Sequence, residues 1–367
     1  MDWTDFLGRP PVAVDAALAE SAVRGKSVLV TGAGGSIGFG VARATLTGRP
    51  RSLVLFDLSE GALYESYRQL SALSNRSECE IIPVTGNIVD PRLLDYLLHQ
   101  HRPDLIFHAA AYKHVPLMER NPFSAIANNA VGTYKLVTAA LRADVGRFIA
   151  ISTDKAVNPR SIMGASKRIA ELVVLSHAAN DVLMNVVRLC NVLGSSGSVA
   201  PIFEEQAQNG VPLTVTHADA QRYFLSPAEA EVAILQTSAC PAWGRVLIPD
   251  CGAAFHVVDL ARYIGRTHSM GKEQDPLIEF IGLRPGDKLR EELLSEDEVV
   301  ESELPGGMRV VLSPCPTVTE VAAAMRSLEA AVDRFDLAEL LPIVFGLVPG
   351  YRPPGNVIEV YPALEMR

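Results

Sequence analysis

The chain has 367 residues, a formal net charge of −9 and 48% hydrophobic residues. The acidic balance excludes nucleic-acid binding as the main function, because phosphate backbones require clustered Lys and Arg. We therefore expect no nucleic-acid partner. The hydrophobic fraction is enough for the buried core of one large domain or two medium ones.

The cysteines are widely spaced and odd in number, and no Cys-x-x-Cys pair occurs. They are Cys79, Cys190, Cys240, Cys251 and Cys315. This pattern predicts neither a disulfide framework nor a zinc site, and we expect no metal. The amino terminus lacks the basic and apolar regions of a signal peptide, and no run of 18 apolar residues occurs. We expect a cytoplasmic protein that is not inserted in a membrane.

Short β-branched runs alternate with helical patterns between residues 26 and 188, as in βαβ units around a parallel sheet. The predicted strands are 27–32, 52–57, 80–86, 104–110, 147–153 and 182–189. Their near-continuous apolar runs are typical of strands covered on both faces. The sequence thus predicts an α/β fold, a Rossmann-type doubly wound parallel sheet with a smaller mixed C-terminal substrate-binding lobe. The predicted divisions are a linker-like segment 1–25, the Rossmann domain 26–190, the lobe 191–300 and a helical tail 301–367.

A glycine-rich turn follows the first predicted strand. Gly32, Gly35 and Gly38 have the GxxGxxG spacing that lets a dinucleotide pyrophosphate approach the start of a helix. Asp57 ends the second strand, 19 residues beyond Gly38, where a carboxylate accepts from both ribose hydroxyls and repels a 2′-phosphate. The spacing therefore predicts NAD rather than NADP. Asn87 is either a ligand of the adenine amine or an ordinary turn residue.

Two later strands end in proton-handling residues. Lys113 and His114 follow the fourth strand, at the sheet edge where ligands bind. Thr153, Asp154 and Lys155 end the fifth strand and supply a hydroxyl, an acid and a base for neighbouring carbons. The alternative for this triad is a solvated loop in which Asp154 caps a turn. Its position after a glycine-rich motif favours the site.

Seven motifs in order carry a resemblance to a known family: "TGAGGSIG", "HAAAYKHVPLME", "STDKAVNP", "MGASKR", "NVLGSSGSV", "RYF" and "GLRPGDKLREELL". From Leu7 to Ser295 the chain resembles the extended short-chain dehydrogenase/reductase superfamily, and within it the CapD-like polysaccharide biosynthesis proteins, which are UDP-N-acetylglucosamine 4,6-dehydratases. The segment "DFLGRPPVAVD" resembles the linker that follows the membrane region of long members. The chain therefore resembles a soluble catalytic part.

The resemblance implies a chemistry. Such an enzyme passes a hydride from sugar carbon 4 to tightly bound NAD, eliminates water across carbons 5 and 6, and returns the hydride to carbon 6. By this resemblance Asp154 protonates the leaving 6-hydroxyl and Lys155 takes the carbon 5 proton. Met163 stands where related enzymes carry tyrosine and cannot transfer a proton, so Asp154 or a water held by Thr153 replaces it. Lys167, on the same helix face, is expected to bind the nicotinamide ribose.

The resemblance also assigns ligand residues. The implied cofactor set is Gly32, Gly35, Ser36, Ile37, Gly38, Asp57, Asn87, Ile88, Ala109, Ala110 and Lys167. The implied substrate set is Lys113, His114, Asn191, Arg222, Arg284 and Asp287, the two arginines gripping a diphosphate. The chain departs from the family pattern at Cys190, Ser196 and Asp287, where glycine, a charged or amide residue and glutamate are usual. These departures bear on the identity of the sugar.

Two alternatives remain open from the sequence. Within enzymes, a 5-inverting dehydratase or an epimerase shares most of these motifs, although epimerases of this fold rely on the missing tyrosine. A non-catalytic dinucleotide-binding sensor is the alternative from another class. We also expect a homo-oligomer that pairs through the helices around 115–143 and 161–179.

Overall fold

The computed structural model describes residues 3–9, 16–74, 79–178, 182–268 and 275–355. The strands are β1 (Ser27–Thr31), β2 (Ser52–Asp57), β3 (Glu80–Thr85), β4 (Leu105–His108), β5 (Arg147–Thr153), β6 (Leu183–Leu189), β7 (Asn191–Val192), β8 (Leu213–Val215), β9 (Gln221–Arg222), β10 (Phe224–Leu225), β11 (Val246–Ile248), β12 (Phe255–His256), β13 (Ile278–Phe280), β14 (Val299–Leu304) and β15 (Met308–Leu312).

The helices alternate with the strands through the first half of the chain. They are α1 (Thr4–Leu7), α2 (Ala16–Val23), α3 (Ser36–Thr47), α4 (Glu60–Leu73), α5 (Pro91–His101), α6 (Val115–Glu119), α7 (Pro122–Ala125), α8 (Gly132–Arg142), α9 (Ile162–His177), α10 (Val199–Gln208), α11 (Pro227–Ala239), α12 (Val257–His268), α13 (Val318–Asp333) and α14 (Leu337–Leu347). A π-helical segment, Ile126–Val131, precedes α8, and a 3₁₀ turn, Asp154–Ala156, follows β5.

The central sheet has nine strands in the order β14-β15-β11-β6-β5-β4-β1-β2-β3. The seven strands from β11 to β3 are parallel, whereas β15 and β14 are antiparallel. This is the doubly wound order whose direction reverses between β1 and β4, and ligands bind at such a switch point. The predicted fold class and its six parallel strands are therefore confirmed, each strand within a few residues.

Burial along the strands explains the apolar runs. Every residue of β1 and β4 is buried, because helices cover both faces of the sheet. The edge strand β3 is half-exposed and contains Pro83, which a ladder tolerates only where one side is free.

A lobe of three short two-stranded sheets stands on the carboxyl edge of the central sheet. The pairs are β7 with β10, β9 with β12, and β8 with β13. The predicted division at residue 190 stays a prediction, but β11 and the β14–β15 hairpin return from beyond it to the central sheet. The predicted helical tail therefore begins with strand residues, and α13 and α14 follow. Its last residues, 356–367, lie outside the described chain.

The amino-terminal segment packs against this lobe. Trp3 and Leu7 are buried in the lobe's apolar cluster, and the Phe6 ring contacts Phe224. Arg9 forms an ion pair with Glu229 at 2.6 Å. Of the predicted linker-like segment 1–25, residues 1–2 and 10–15 are outside the described chain.

The C-terminal helices cover one of the two helical surfaces predicted to pair. α13 and α14 both pack on α9, whose side chains are buried in the single chain except at Arg168. The expectation that α9 is free to pair with a second copy is wrong, because the chain's own helices occupy that face. The homo-oligomer itself stays a prediction. Along the described residues, no helix combines the length and apolar character needed to span a membrane.

Candidate functional site

The glycine-rich turn lies between β1 and α3 and is closely packed. Gly32 has a φ of 68°, and a Cβ there would lie 2.6 Å from the backbone nitrogen of Ala110. A Cβ on Gly38 would lie 2.1 Å from the carbonyl oxygen of Gly32. Both glycines are therefore required for the turn, and they hold the start of α3, at Ser36 and Ile37, open toward the sheet edge.

Asp57 bridges the end of β2 to this turn. Its Oδ2 accepts from the Gly34 backbone N–H at 2.8 Å, and its Oδ1 accepts from the Ser59 N–H at 2.8 Å. The backbone thus fixes the carboxylate beside the turn where a ribose would lie. The role of Asp57 as the ribose ligand stays a prediction.

The remaining predicted cofactor residues line the same edge or support it. Asn87 Oδ1 accepts from the Val89 N–H at 3.1 Å. This hydrogen bond is typical of an ordinary turn residue, the second of the two interpretations of Asn87 given by the sequence. Ile88 is 3% exposed and belongs to the core. Ala109 and Ala110 cross directly over Gly32. The ligand roles of Asn87 and Ile88 stay predictions.

Thr153, Asp154 and Lys155 form a bonded chain at the end of β5. The Thr153 hydroxyl donates to Asp154 Oδ1 at 2.9 Å, and Lys155 Nζ donates to the same oxygen at 3.0 Å. Asp154 is fully buried, and its Oδ2 has no hydrogen-bond partner among the described residues. A buried carboxylate oxygen without a partner is costly, which makes this carboxylate a candidate functional group.

Lys155 also contacts the lobe. Its Nζ donates to Asn191 Oδ1 at 3.1 Å and lies 3.7 Å from Glu291 Oε1. Burial opposes the ammonium, but the carboxylates of Asp154 and Glu291 outweigh it and raise the pKa of Lys155. Lys155 therefore rests as a cation and acts as a base only after losing a proton.

Helix α9 is fitted tightly against this turn. The Ser161 side chain caps the helix by accepting from the Gly164 N–H, and a Cβ on Gly164 would lie 2.3 Å from the Lys155 carbonyl oxygen. Met163 is 2% exposed and packs in the core. Lys167 Nζ donates to the Ile151 carbonyl at 2.7 Å. Burial lowers the pKa of Lys167 to about 8, against a weaker opposing effect of Glu171.

The predicted pair lies between the end of β4 and the start of α6. His114 begins α6, and its ring packs against Gly197 of the lobe loop. Partial desolvation and the nearby Lys155 lower the pKa of Lys113. Lys113 is therefore close enough to Lys155 for the two charges to interact, and its substrate role stays a prediction.

The two predicted diphosphate arginines differ in their surroundings. Arg222 donates to the carbonyl oxygens of Gln221 and Lys288 and lies 3.5 Å from Glu291 Oε1. Arg284 is half-exposed and pairs with Asp287 at 2.8 Å. Arg222 thus links β9 to the loop that contains Lys288, whereas Arg284 is partly accessible to solvent. Their binding roles, and that of Asp287, stay predictions.

The sequence missed a polar chain beneath the site. His108 Nδ1 lies 2.8 Å from Thr31 Oγ1, and its Nε2 lies 2.9 Å from Thr133 Oγ1. Because the Thr133 hydroxyl donates to the Asn129 carbonyl, we assign the proton of His108 to Nε2. Burial, helped by Lys167, lowers the pKa of His108 to about 3, so the imidazole is neutral. In the sequence, the only indication of this polar chain was a histidine within an otherwise apolar strand.

The sequence also missed a cysteine pair beside the site. Cys190 and Cys251 form a disulfide, with Cα atoms 6.8 Å apart, directly before Asn191. The expectation of no disulfide is wrong, because spacing along the chain does not show that two distant segments meet. Disulfides persist mainly in oxidising compartments, and this one is therefore not typical of a cytoplasmic protein. The cytoplasmic location stays a prediction.

Comparison with known proteins identifies the family. The family model described as polysaccharide biosynthesis protein matches residues 28–311. The capsular polysaccharide biosynthesis protein CapD of Staphylococcus aureus is 43% identical over 298 residues, which are 80% of this chain and 49% of CapD. The chain therefore spans about half the length of that relative. It belongs to the polysaccharide biosynthesis protein family, as its motifs predicted.

More distant relatives share the fold. The UDP-N-acetylglucosamine 4,6-dehydratase (inverting) of Campylobacter jejuni is 30% identical, covering 75% of this chain and 79% of that protein. The structure of Pen from Bacillus thuringiensis has a TM-score of 0.73 at 27% identity, covering 81% and 90% of the two chains. DesIV, a dTDP-glucose 4,6-dehydratase from Streptomyces venezuelae solved with NAD, has a TM-score of 0.63 at 22% identity, covering 86% and 99%.

Proposed function

We propose that the chain is a nucleotide-sugar 4,6-dehydratase, a hydro-lyase acting on a UDP-N-acetylhexosamine, with UDP-N-acetylglucosamine as the first candidate. The observation that carries this proposal is the set of hydrogen bonds that joins Thr153, Asp154 and Lys155 at the carboxyl end of β5. It supplies an acid and a base to adjacent carbons. The family membership and the named activity of the Campylobacter relative support the same reaction class.

The residues present fit NAD. The glycine turn would take the pyrophosphate at the start of α3, and Asp57 would accept from the ribose hydroxyls. Lys167 would contact the nicotinamide ribose across the cleft. Bound there, NAD would accept a hydride from sugar carbon 4 and return it to carbon 6. The NAD in DesIV supports this choice.

Asp154 and Lys155 would carry out the elimination. Asp154 gives a proton to the departing 6-hydroxyl, and Lys155 takes the proton from carbon 5, exchanges it with solvent and later delivers a solvent-derived proton there. The Thr153 hydroxyl, 2.9 Å from Asp154, relays the 4-hydroxyl proton to this carboxylate. Asp154 is thereby protonated at the moment when an acid is needed. Met163, which holds no transferable proton and packs in the core, takes no part in proton transfer.

The proposed substrate residues come from two parts of the chain. Lys113 and His114 come from the sheet side, and Arg284 with Asp287 from the lobe side. Asn191 holds the Lys155 ammonium at 3.1 Å and so orients it. A cationic mouth of this kind suits a diphosphate.

Incubation with UDP-N-acetylglucosamine in deuterated water tests the function. We expect a UDP-4-keto-6-deoxy sugar carrying deuterium at carbon 5, detected by NMR spectroscopy and mass spectrometry. A product that keeps its 6-hydroxyl would show an epimerase. Binding of dinucleotide without any product, over a panel of UDP-hexosamines, would show a sensor.

A further inference from the structure

Glu291 is a buried carboxylate where the lobe meets the β5 turn. Its side chain is 2% exposed. Oε1 lies 3.7 Å from Lys155 Nζ and 3.5 Å from Arg222 Nε, and Oε2 lies 3.9 Å from Lys288 Nζ. No described residue forms a hydrogen bond with Oε2. The carboxylate is thus surrounded by cations and poorly bonded to them.

A structural ion pair in the same chain has a different geometry. Arg188, fully buried, donates to both oxygens of Glu171 at 3.1 and 2.8 Å, and to both oxygens of Glu298 at 2.8 and 2.9 Å. Bidentate bonding of this kind compensates for the loss of water. Glu291 lacks it, so a purely structural role leaves its burial unexplained.

Of the two lysines near Glu291, Lys155 is the nearer, at 3.7 Å against 3.9 Å for Lys288, and it alone also contacts Asp154. Arg222 cannot be deprotonated. Lys288 Nζ is held by the Val157 carbonyl at 2.7 Å. Lys155 uses two of its three N–H groups on Asp154 and Asn191, and its third is available to Glu291.

The proposed dehydration requires an acceptor for one further proton, which is the proton that the resting Lys155 ammonium must lose. The 4-hydroxyl proton passes through Thr153 to Asp154 and leaves with the 6-hydroxyl as water. Lys155 rests as an ammonium and must lose a proton before it can take one from carbon 5. Asp154, already protonated, cannot accept it.

We propose that Glu291 stores this proton, an inference that rests on the proposed function. An N–H bond of Lys155 breaks and an O–H bond forms on Glu291, giving a neutral amine and a neutral acid. Lys155 then takes the carbon 5 proton, exchanges it with solvent, and delivers a proton to carbon 5 of the product. Finally Glu291 gives its proton back to Lys155. No electrons are exchanged and no co-reactant is consumed.

The electrostatics of the cluster act on this exchange in both directions, because Asp154 and Glu291 raise the pKa of Lys155 while the pKa of Glu291 is itself raised. Burial, reinforced by Asp154, raises the pKa of Glu291 in spite of Lys155, Arg222 and Lys288. The groups facing Lys155 are Asp154, Glu291, Arg222 and Lys113. Glu291 acts through Lys155 and touches no substrate atom, so it is a positioning residue.

The test uses the full chain and three variants, Glu291→Gln, Glu291→Asp and Glu292→Gln. Glu292 is the matched control, because it is the neighbouring carboxylate, is half-exposed and pairs with Lys288 at 3.4 Å. The first measurement is turnover of UDP-N-acetylglucosamine from pH 6 to 10. We expect Glu291→Gln to lower kcat about 100-fold at pH 7, with KM within about twofold, since general acid–base groups contribute on this scale. The deficit should shrink as pH rises, because water then removes the Lys155 proton. Glu291→Asp should recover part of the loss.

The second measurement needs no substrate. The Lys155 ammonium is titrated by NMR spectroscopy in lysine-¹⁵N-labelled protein, its signal assigned by its absence from Lys155→Arg. We expect Glu291→Gln to lower the midpoint by about one pH unit or more, since it removes an adjacent anion, and Glu292→Gln to leave it unchanged. A midpoint that Glu291→Gln does not move, or a deficit in kcat that is the same at every pH, overturns the proposal. If the wild-type chain forms no dehydrated product, the proposed function fails, while this titration still decides whether Glu291 and Lys155 are coupled.

Discussion

Lys155 Nζ and Asp154 Oδ1 lie 3.0 Å apart at the end of β5, so the candidate acid and base share one hydrogen bond. Asp154 is fully buried, whereas the Lys155 side chain is 23% exposed. The pair is therefore buried at Asp154 and partly accessible to solvent at Lys155.

Replacing Lys155 by Arg tests the base directly. Arginine keeps the positive charge beside Asp154 but cannot give up its proton. We expect turnover to fall at least about 100-fold with little loss of thermal stability, because the buried carboxylate keeps a cationic partner. Steady-state kinetics and thermal unfolding provide the two readouts. Lys135→Arg, on α8, serves as the control, and unchanged turnover in Lys155→Arg would exclude Lys155 as the base.

Met163→Leu tests whether the thioether takes part in the chemistry. The side chain is 2% exposed, and a volume-conserving replacement in a core costs less than about 1.5 kcal/mol. We expect kcat within about threefold of the original chain. A 100-fold loss in a folded variant would show that the sulfur has a role that packing does not explain.

Gly38→Ala tests the glycine turn. The added methyl group would lie 2.1 Å from the Gly32 carbonyl oxygen, so α3 must shift away from the turn. We expect a loss of about 1–3 kcal/mol in the free energy of unfolding by urea, together with weaker NAD binding. Gly61→Ala, in α4, is the control, because no atom lies within 4 Å of its added methyl group. Equal effects of the two changes would refute the close packing.

Asp57→Asn tests the choice of dinucleotide. The change removes the charge that repels a 2′-phosphate and keeps an oxygen that can accept from the Gly34 N–H. We expect calorimetric titration of dinucleotide-free protein to show NAD affinity about tenfold lower and NADP affinity higher. Asp90→Asn, at the start of α5, should change neither. An unaltered NAD to NADP ratio in Asp57→Asn would remove Asp57 from the ribose site.

Lys167→Met predicts a pH-dependent difference in stability. The pKa of Lys167 is lowered from 10.5 to about 8 in the folded chain, so between these values the unfolded chain binds more protons. Stability of the original chain therefore rises with pH across this window, whereas below pH 8 the cost of the buried ammonium is fully present. Relative to Lys167→Met, we expect a gain of about 3 kcal/mol from pH 7 to 10.5. Urea unfolding at several pH values measures it, and a constant difference would contradict the lowered pKa.

Much of the fold was predictable because its determinants are local. β1, β2 and β5 are continuous apolar runs, and the glycine turn carries its own spacing. The site was predictable as far as each residue ends a strand, since parallel strands end at one edge. Three features bring together segments that are far apart in the chain. They are the contacts of Glu291, the Cys190–Cys251 disulfide and the packing of α13 on α9. No local pattern encodes their meeting.

The fate of the hydrogen on sugar carbon 4 tests the central claim most directly. UDP-N-acetylglucosamine carrying deuterium at carbon 4 is converted by the full chain, and the product is examined by NMR spectroscopy. The account predicts a 4-keto sugar whose deuterium lies in the new methyl group at carbon 6. Deuterium back at carbon 4, with the 6-hydroxyl retained, would contradict it.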